Sequence, residues 1–129
     1  MFSIDKLSRT PIYEQLIHQF EISILSGDIP ANGLLPSVRS LSQALKINPN
    51  TLQRAYNEIE RRGLCYSVAG YGRYLAPDAL LRIKEQANAQ TLAFHETVVS
   101  LKEHGVSEEV LTGIIREVFH HEEGKAVEE

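Results

Sequence analysis

Leu35-Pro36-Ser37-Val38-Arg39-Ser40-Leu41-Ser42-Gln43-Ala44-Leu45-Lys46-Ile47-Asn48-Pro49-Asn50-Thr51-Leu52-Gln53-Arg54-Ala55-Tyr56-Asn57-Glu58-Ile59 is the stretch that decides the fold. Ser37 offers an N-cap ahead of Val38, Leu41, Ala44 and Leu45, so a short helix is predicted over 37–45. Lys46-Ile47 leaves room only for a tight turn. Asn48-Pro49 is then a cap followed by a proline at the first helical position, where a missing amide costs nothing, and it launches a helix to Arg62 that Gly63 stops. Two helices joined by so short a turn make a helix-turn-helix.

Sorted by helical spacing, the second of these helices has two faces. Leu52, Ala55, Tyr56 and Ile59 recur as a core stripe, while Asn50, Gln53, Arg54 and Asn57 form a face of amides and guanidinium. Those are the side chains able to pair with base edges in the major groove. Asn48, Asn50 and Thr51 sit at the helix N-terminus, where free amides and the dipole favour a phosphate.

Upstream, Thr10-Pro11 reads as a cap and first helical position, and Tyr13, Leu16, Ile17, Phe20 and Ile24 form one apolar face of a helix over 11–26. Gly27-Asp28 ends it, and 28–33 carries turn residues. Downstream, Leu64-Cys65-Tyr66-Ser67-Val68 has strand composition, Gly70-Tyr71-Gly72 is a turn and Arg73-Tyr74-Leu75 is the return strand. The result is a β-hairpin wing whose tip, with Tyr71 and Arg73, suits a minor groove or a phosphate.

From Asp78 to about Glu103 the pattern is helical, with Leu80, Ile83, Ala87, Phe94, Val98 and Leu101 on one stripe and Leu81, Leu92 and Val99 flanking it. Gly105 punctuates. Ser107 caps a final helix through about His121, with Glu108 and Glu109 in its first turn and Leu111, Ile114, Ile115, Val118 and Phe119 on its apolar side. Residues 122–129 read as a frayed, solvated tail. Two helices of this size are too short to bury both apolar faces alone, so they are expected to pack on a second copy. The expected architecture is mostly α with a small β-wing: a winged helix-turn-helix over 1–77, then a two-helix dimerisation domain over 78–129.

Charge divides at the same place. Of 129 residues, those at 1–77 hold eight Lys/Arg against six Asp/Glu, and those at 78–129 hold five against eleven, giving +2 and −6 within a net −4. Such a chain does not bind nucleic acid or anionic lipid by net charge, so any contact comes from a local cluster in the N-terminal half. Cys65 is the single cysteine and can make no internal disulfide. With no apolar run near the roughly 20 residues that span a bilayer and no h-region in Met1–Lys6, a cytoplasmic setting without membrane contact is expected.

Catalysis has little support. No nucleophile elbow, P-loop, dinucleotide fingerprint or metalloprotease helix is present, and neither an enzyme nor a cofactor is expected. His95, His104, His120 and His121 lack the i, i+4 spacing of a helical zinc pair, so no metal site is expected. Arg61-Arg62 reads as a solvated helix end, Tyr56 as core, and Cys65 as a packed strand residue.

At this point the sequence resembles the GntR superfamily of bacterial winged-helix transcription regulators, and within it the short YtrA-like branch. The residues that carry the resemblance are Pro11–Leu16, Ser26–Pro30, Leu35–Leu41, Ile47–Tyr56 and the wing glycines Gly70 and Gly72. It implies a dimeric DNA-binding regulator, usually a repressor, often of genes for an ABC-type transporter or for envelope stress. It also implies DNA contacts at Arg39, at Asn48, Pro49, Asn50, Thr51, Gln53 and Arg54, and at Gly70; Ser37, Tyr71 and Arg73 join these on position. Larger relatives carry effector domains of well over a hundred residues, for which the chain has no room, which counts against a small-molecule effector without deciding whether one exists. Asn32-Gly33-Leu34 and Ala69 depart from the family pattern, each removing a phosphate-binding cation. A homodimer on an inverted-repeat operator in double-stranded DNA is the reading that follows. The competing one is a winged helix that binds another protein.

Overall fold

The computed structural model describes residues 2–128, with side chains described through His121. Helix α1 runs Ile12–Ser26 and buries Leu16, Ile17, Phe20, Ser23 and Ile24, the expected face with Ser23 added and Tyr13 only half-buried. Its start corrects the sequence expectation. Pro11 is the N-cap and no side chain caps the helix; the Gln15 amide reaches back to donate to the Thr10 and Asp5 carbonyls. Gly27, at φ 82°, closes the other end in the left-handed conformation that favours glycine.

Helices α2 (Val38–Leu45) and α3 (Pro49–Arg61) form as their caps dictate. The Ser37 hydroxyl oxygen accepts from the Ser40 amide at 3.0 Å and Asn48 Oδ1 from the Asn50 amide at 2.9 Å. Leu52, Ala55, Tyr56 and Ile59 are buried against α1. Strands β1 (Cys65–Val68) and β2 (Gly72–Leu75) pair antiparallel with Cys65 opposite Leu75 and Val68 opposite Gly72. A turn closed by the Tyr71 amide on the Val68 carbonyl joins them, with Gly70 at φ 82°.

One feature of the sheet is absent from the local pattern. The loop before α2 lies along β2: the Asn32 amide donates to the Leu75 carbonyl, the Leu75 amide to Gly33, and the Leu35 amide to Arg73, with Leu34 bridged to Tyr74. These backbone pairings seat the wing on the segment Asn32-Gly33-Leu34. Asn32 stands at φ 59°, and its Oδ1 accepts from the Tyr66 hydroxyl at 2.9 Å.

Helix α4 spans Ala79–Glu103 and α5 spans Glu108–Glu128, past the expected end near His121. Glu, Lys and Ala after His121 are good helix formers, and Gly124 alone is not a stop. The side chains of the tail expected to fray lie outside the described ones.

The chain divides into two compact units, one through Gln86 and one from Ala87. The division falls inside α4 because Ala79 and Ile83 belong to the core of the first unit, with Phe20, Tyr56, Leu52 and Leu16 at its centre. Ile83, expected on the dimerisation stripe, is thus corrected to a core residue. From Ala87 onward no described residue is buried, and Phe94, Ile114, Ile115, Val118 and Phe119 are exposed.

Candidate nucleic-acid interface

Arg39 stands in the first turn of α2, exposed, and its guanidinium makes no ion pair or hydrogen bond among the described residues. Ser37 is committed to capping the same turn. At the head of α3, Asn48, Pro49 and Asn50 are exposed and Thr51 is half-buried. Asn48 spends its side-chain oxygen on the cap, which leaves Asn50 and the exposed Gln53 as the outward amides.

Of the two arginines expected to join them, Arg54 is exposed and rests on a ring, and Arg73 is held elsewhere. The Arg54 guanidinium lies 4.3 Å from the ring centre of Tyr13 on α1, a cation–π contact that turns it toward that helix. Arg73, expected at the wing tip, has a side chain only 17% exposed. Its Nη2 donates to Asn57 Oδ1 at 2.8 Å, its Nε lies 3.7 Å from Glu60 Oε1, and its guanidinium is 5.4 Å from the Tyr56 ring centre. Tyr71 does stand out at the tip, 76% exposed beside the exposed Gly70.

Between the start of α2, α3 and β2 lies a cleft of about 260 Å³, lined among others by Pro36, Ser37, Gln53, Tyr56 and Arg73. Tyr56 forms its floor, donating its hydroxyl to the Pro36 carbonyl at 2.5 Å. Burial pushes the phenol well above its usual range, against the opposing pull of Arg73, so the hydroxyl remains a donor and ties α3 to the segment that enters α2.

Sequence reasoning gave no role to Lys6 and Lys46, which the structure brings to this surface, and named Asn57 only as a member of the polar face of α3. Lys6 Nζ donates to the Lys46 carbonyl at 2.9 Å, placing an ammonium at the α2–α3 turn, where Lys46 itself stands at φ 56°. Asn57 links Gln53 to Arg73, since its Oδ1 also accepts from Gln53 Nε2 at 3.0 Å. The i, i+4 spacing of Gln53 and Asn57 is a signal the sequence did carry; the Lys6 contact spans 40 residues and has none. Arg61 and Arg62 both pair with Glu58, and Arg62 also with Glu21 of α1. Hydrogen bonds from Arg61 and then Arg62 hold the Glu58 carboxyl down to about 2. The helix end is therefore a clasp onto α1.

In the second unit, Phe94, Val98, Val106, Leu111 and Ile115 line an apolar groove of about 470 Å³ between the C-terminal part of α4 and α5. Leu101 and Leu111 are half-buried there, while Ala87, Leu92 and Phe119 are exposed. Leu80 is 41% exposed in the first unit. No described helix is long and apolar enough to cross a membrane.

Residues 12–75 match the family model "Bacterial regulatory proteins, gntR family". The HTH-type transcriptional repressor YtrA of Bacillus subtilis is 37% identical over 110 residues, 79% of this chain and 85% of that protein. A solved GntR family transcriptional regulator from Listeria monocytogenes is 33% identical, covers 88% of this chain and 98% of its own, and superposes with a TM-score of 0.66. The DNA-binding domain of AraR in complex with its operator ORX1 is 27% identical over 58% of this chain and 93% of that one, with a TM-score of 0.52.

Proposed function

This chain belongs to the GntR family of bacterial transcription regulators, and from that premise we propose that it is a homodimeric repressor that reads an inverted-repeat operator. The observation that carries the reading is the exposed polar head of α3, with Asn50 and Gln53 outward, beside the unpaired Arg39 of α2. A planar guanidinium with five donors suits guanine or a phosphate, and amides suit adenine. Asn48, Pro49, Thr51, Gly70 and Tyr71 surround these groups and would meet the sugar-phosphate backbone. Ser37 contributes by holding the turn that carries Arg39.

The DNA-binding part is the winged helix through Leu75 with the start of α4, and the residues from Ala87 onward serve dimerisation. A hairpin in which no described residue is fully buried and Phe94, Ile114, Ile115, Val118 and Phe119 are exposed gains stability by covering that surface with an identical one, at about 25 cal/mol per Å² of apolar area. Ala87, Val98, Leu101 and Leu111 belong to the same proposed face. A two-fold dimer then presents two recognition helices to two half-sites of opposite sense.

The test is selection of bound duplexes from a random pool at about physiological salt, with Arg39→Ala beside the wild type. Enrichment of an inverted repeat, and a loss of about 1–3 kcal/mol in affinity for it in the variant, are expected. A folded wild-type dimer that enriches no sequence overturns the reading; unchanged affinity in Arg39→Ala removes Arg39 from it.

A further inference from the structure

Arg73 lies on the wing, yet its donors point back at the recognition helix. A guanidinium has five N–H donors and no acceptor, so whatever group it meets must turn an oxygen toward it. Asn57 does so: its Oδ1 lies 2.8 Å from Arg73 Nη2. That contact decides which end of the Asn57 amide is which. The same Oδ1 then accepts from Gln53 Nε2, one helical turn earlier, at 3.0 Å. Its two lone pairs are both occupied, and Gln53 can meet Asn57 only as a donor.

The far side of this clasp is also fixed. Glu60 Oε1 lies 3.7 Å from Arg73 Nε and accepts from the Ser67 hydroxyl on β1 at 2.5 Å, while the guanidinium sits over Tyr56. Arg73 is thus held by ion pair, hydrogen bond and ring at once, and its side chain is largely screened from solvent. Gln53 itself is exposed. With one Nε2 hydrogen committed to Asn57, it has its Oε1 acceptor and one remaining Nε2 donor to offer.

We propose that Arg73 sets the base preference of the recognition helix through Asn57, fixing the Gln53 amide so that it reads adenine. This rests on the DNA-binding function above. In the major groove adenine presents an N6 donor beside an N7 acceptor, the complement of one amide oxygen and one amide hydrogen. Guanine presents two acceptors, O6 and N7, and would face the Gln53 oxygen with its own. A freely rotating glutamine has no such bias in orientation. Arg73 is a positioning residue here, acting from the wing on a base it does not touch.

The experiment profiles base preference at every operator position by duplex selection with the wild type, Gln53→Ala, Arg73→Met, Arg73→Lys and Asn57→Ser, each checked for cooperative thermal unfolding. The wild type should require adenine at one position per half-site, and Gln53→Ala should identify that position by losing the preference there alone. Arg73→Met and Asn57→Ser should each reduce the preference for adenine over guanine at that position about tenfold. Arg73→Lys, which also donates without accepting, should retain it. Asn57→Ser, at an exposed site, keeps the test open if Arg73→Met fails to fold. A uniform loss of affinity with an unchanged profile in both variants overturns the proposal, as does guanine at the Gln53-dependent position. Absence of any enriched sequence with the wild type overturns instead the DNA-binding reading on which the proposal stands.

Discussion

Cys65 begins β1 with its side chain buried, 4% exposed, beneath the clasp of Glu60 and Arg73. Burial pushes its thiol up to about 11; the Glu60 carboxylate adds to this and Arg73 opposes it. A thiol raised so far carries little thiolate at neutral pH, and the thiolate is the nucleophile. Labelling by a disulfide reagent at pH 8 should therefore run on the order of 100-fold slower in the folded protein than in the denatured chain. Equal rates in the two states would contradict the assignment of Cys65 as a packing residue. The same scale shows why arginines with one charge have different uses. Among the described residues Arg39 has no hydrogen-bond or ion-pair partner, Arg54 rests its exposed guanidinium on Tyr13 with its N–H donors uncommitted, and Arg73 is fixed by three groups.

At the scale of the element, α3 works because its two faces do unlike things. Leu52, Ala55, Tyr56 and Ile59 are each at most 1% exposed, and they fix the helix on α1 so that Asn50 and Gln53 must face outward. The anchor of this packing is an aromatic chain, with Phe2 and Phe20 ring centres 4.8 Å apart and Phe20 and Tyr56 5.0 Å apart in an edge contact. Truncating the middle member leaves a cavity among rings that cannot collapse onto it. Phe20→Ala is expected to cost about 3–5 kcal/mol, a large share of the ~5–15 kcal/mol that holds a domain of this kind together. Chemical denaturation followed by circular dichroism measures it, and a loss below about 1 kcal/mol would mean that the rings carry no such weight. The wing, by contrast, depends on pairings with chain outside the hairpin, through the Asn32, Leu75 and Leu35 amides.

At the scale of the whole molecule, stability and function meet in the residues after Ala87. Large apolar side chains stand exposed there on both helices, and the proposed dimer covers them. A charge placed in the groove shared by Phe94, Val98 and Leu111 should oppose that association. Ile115→Glu is expected to halve the mass measured by light scattering at micromolar concentration. It should also weaken binding to a full inverted repeat by at least tenfold while leaving the first unit folded, because two half-sites linked in one dimer bind with an advantage that separate subunits lack. A wild-type protein that is monomeric under these conditions would refute the dimer outright.

By itself the sequence determined the helices, their caps at Ser37 and Asn48, the hairpin wing and the two faces of α3. Each is written in residues within a turn or two of one another, where helical period, cap chemistry and glycine placement act directly. The family was legible for the same reason, since its motifs lie in those local segments. The first helix start was not: Pro11 is the cap residue with no side chain capping, and the Gln15 amide is spent on carbonyls of the N-terminal arm, a contact with no local signal. Tertiary structure alone decided that Ile83 faces the first core, that the 32–35 loop seats the wing, that Lys6 reaches the helix-turn-helix, that Arg54 rests on Tyr13 and that Arg73 turns inward. These contacts join residues 40 or more positions apart in the case of Lys6 with Lys46 and Asn32 with Leu75. A side chain's periodicity says which face it is on, but which partner waits there is known only once the chain has returned to meet it.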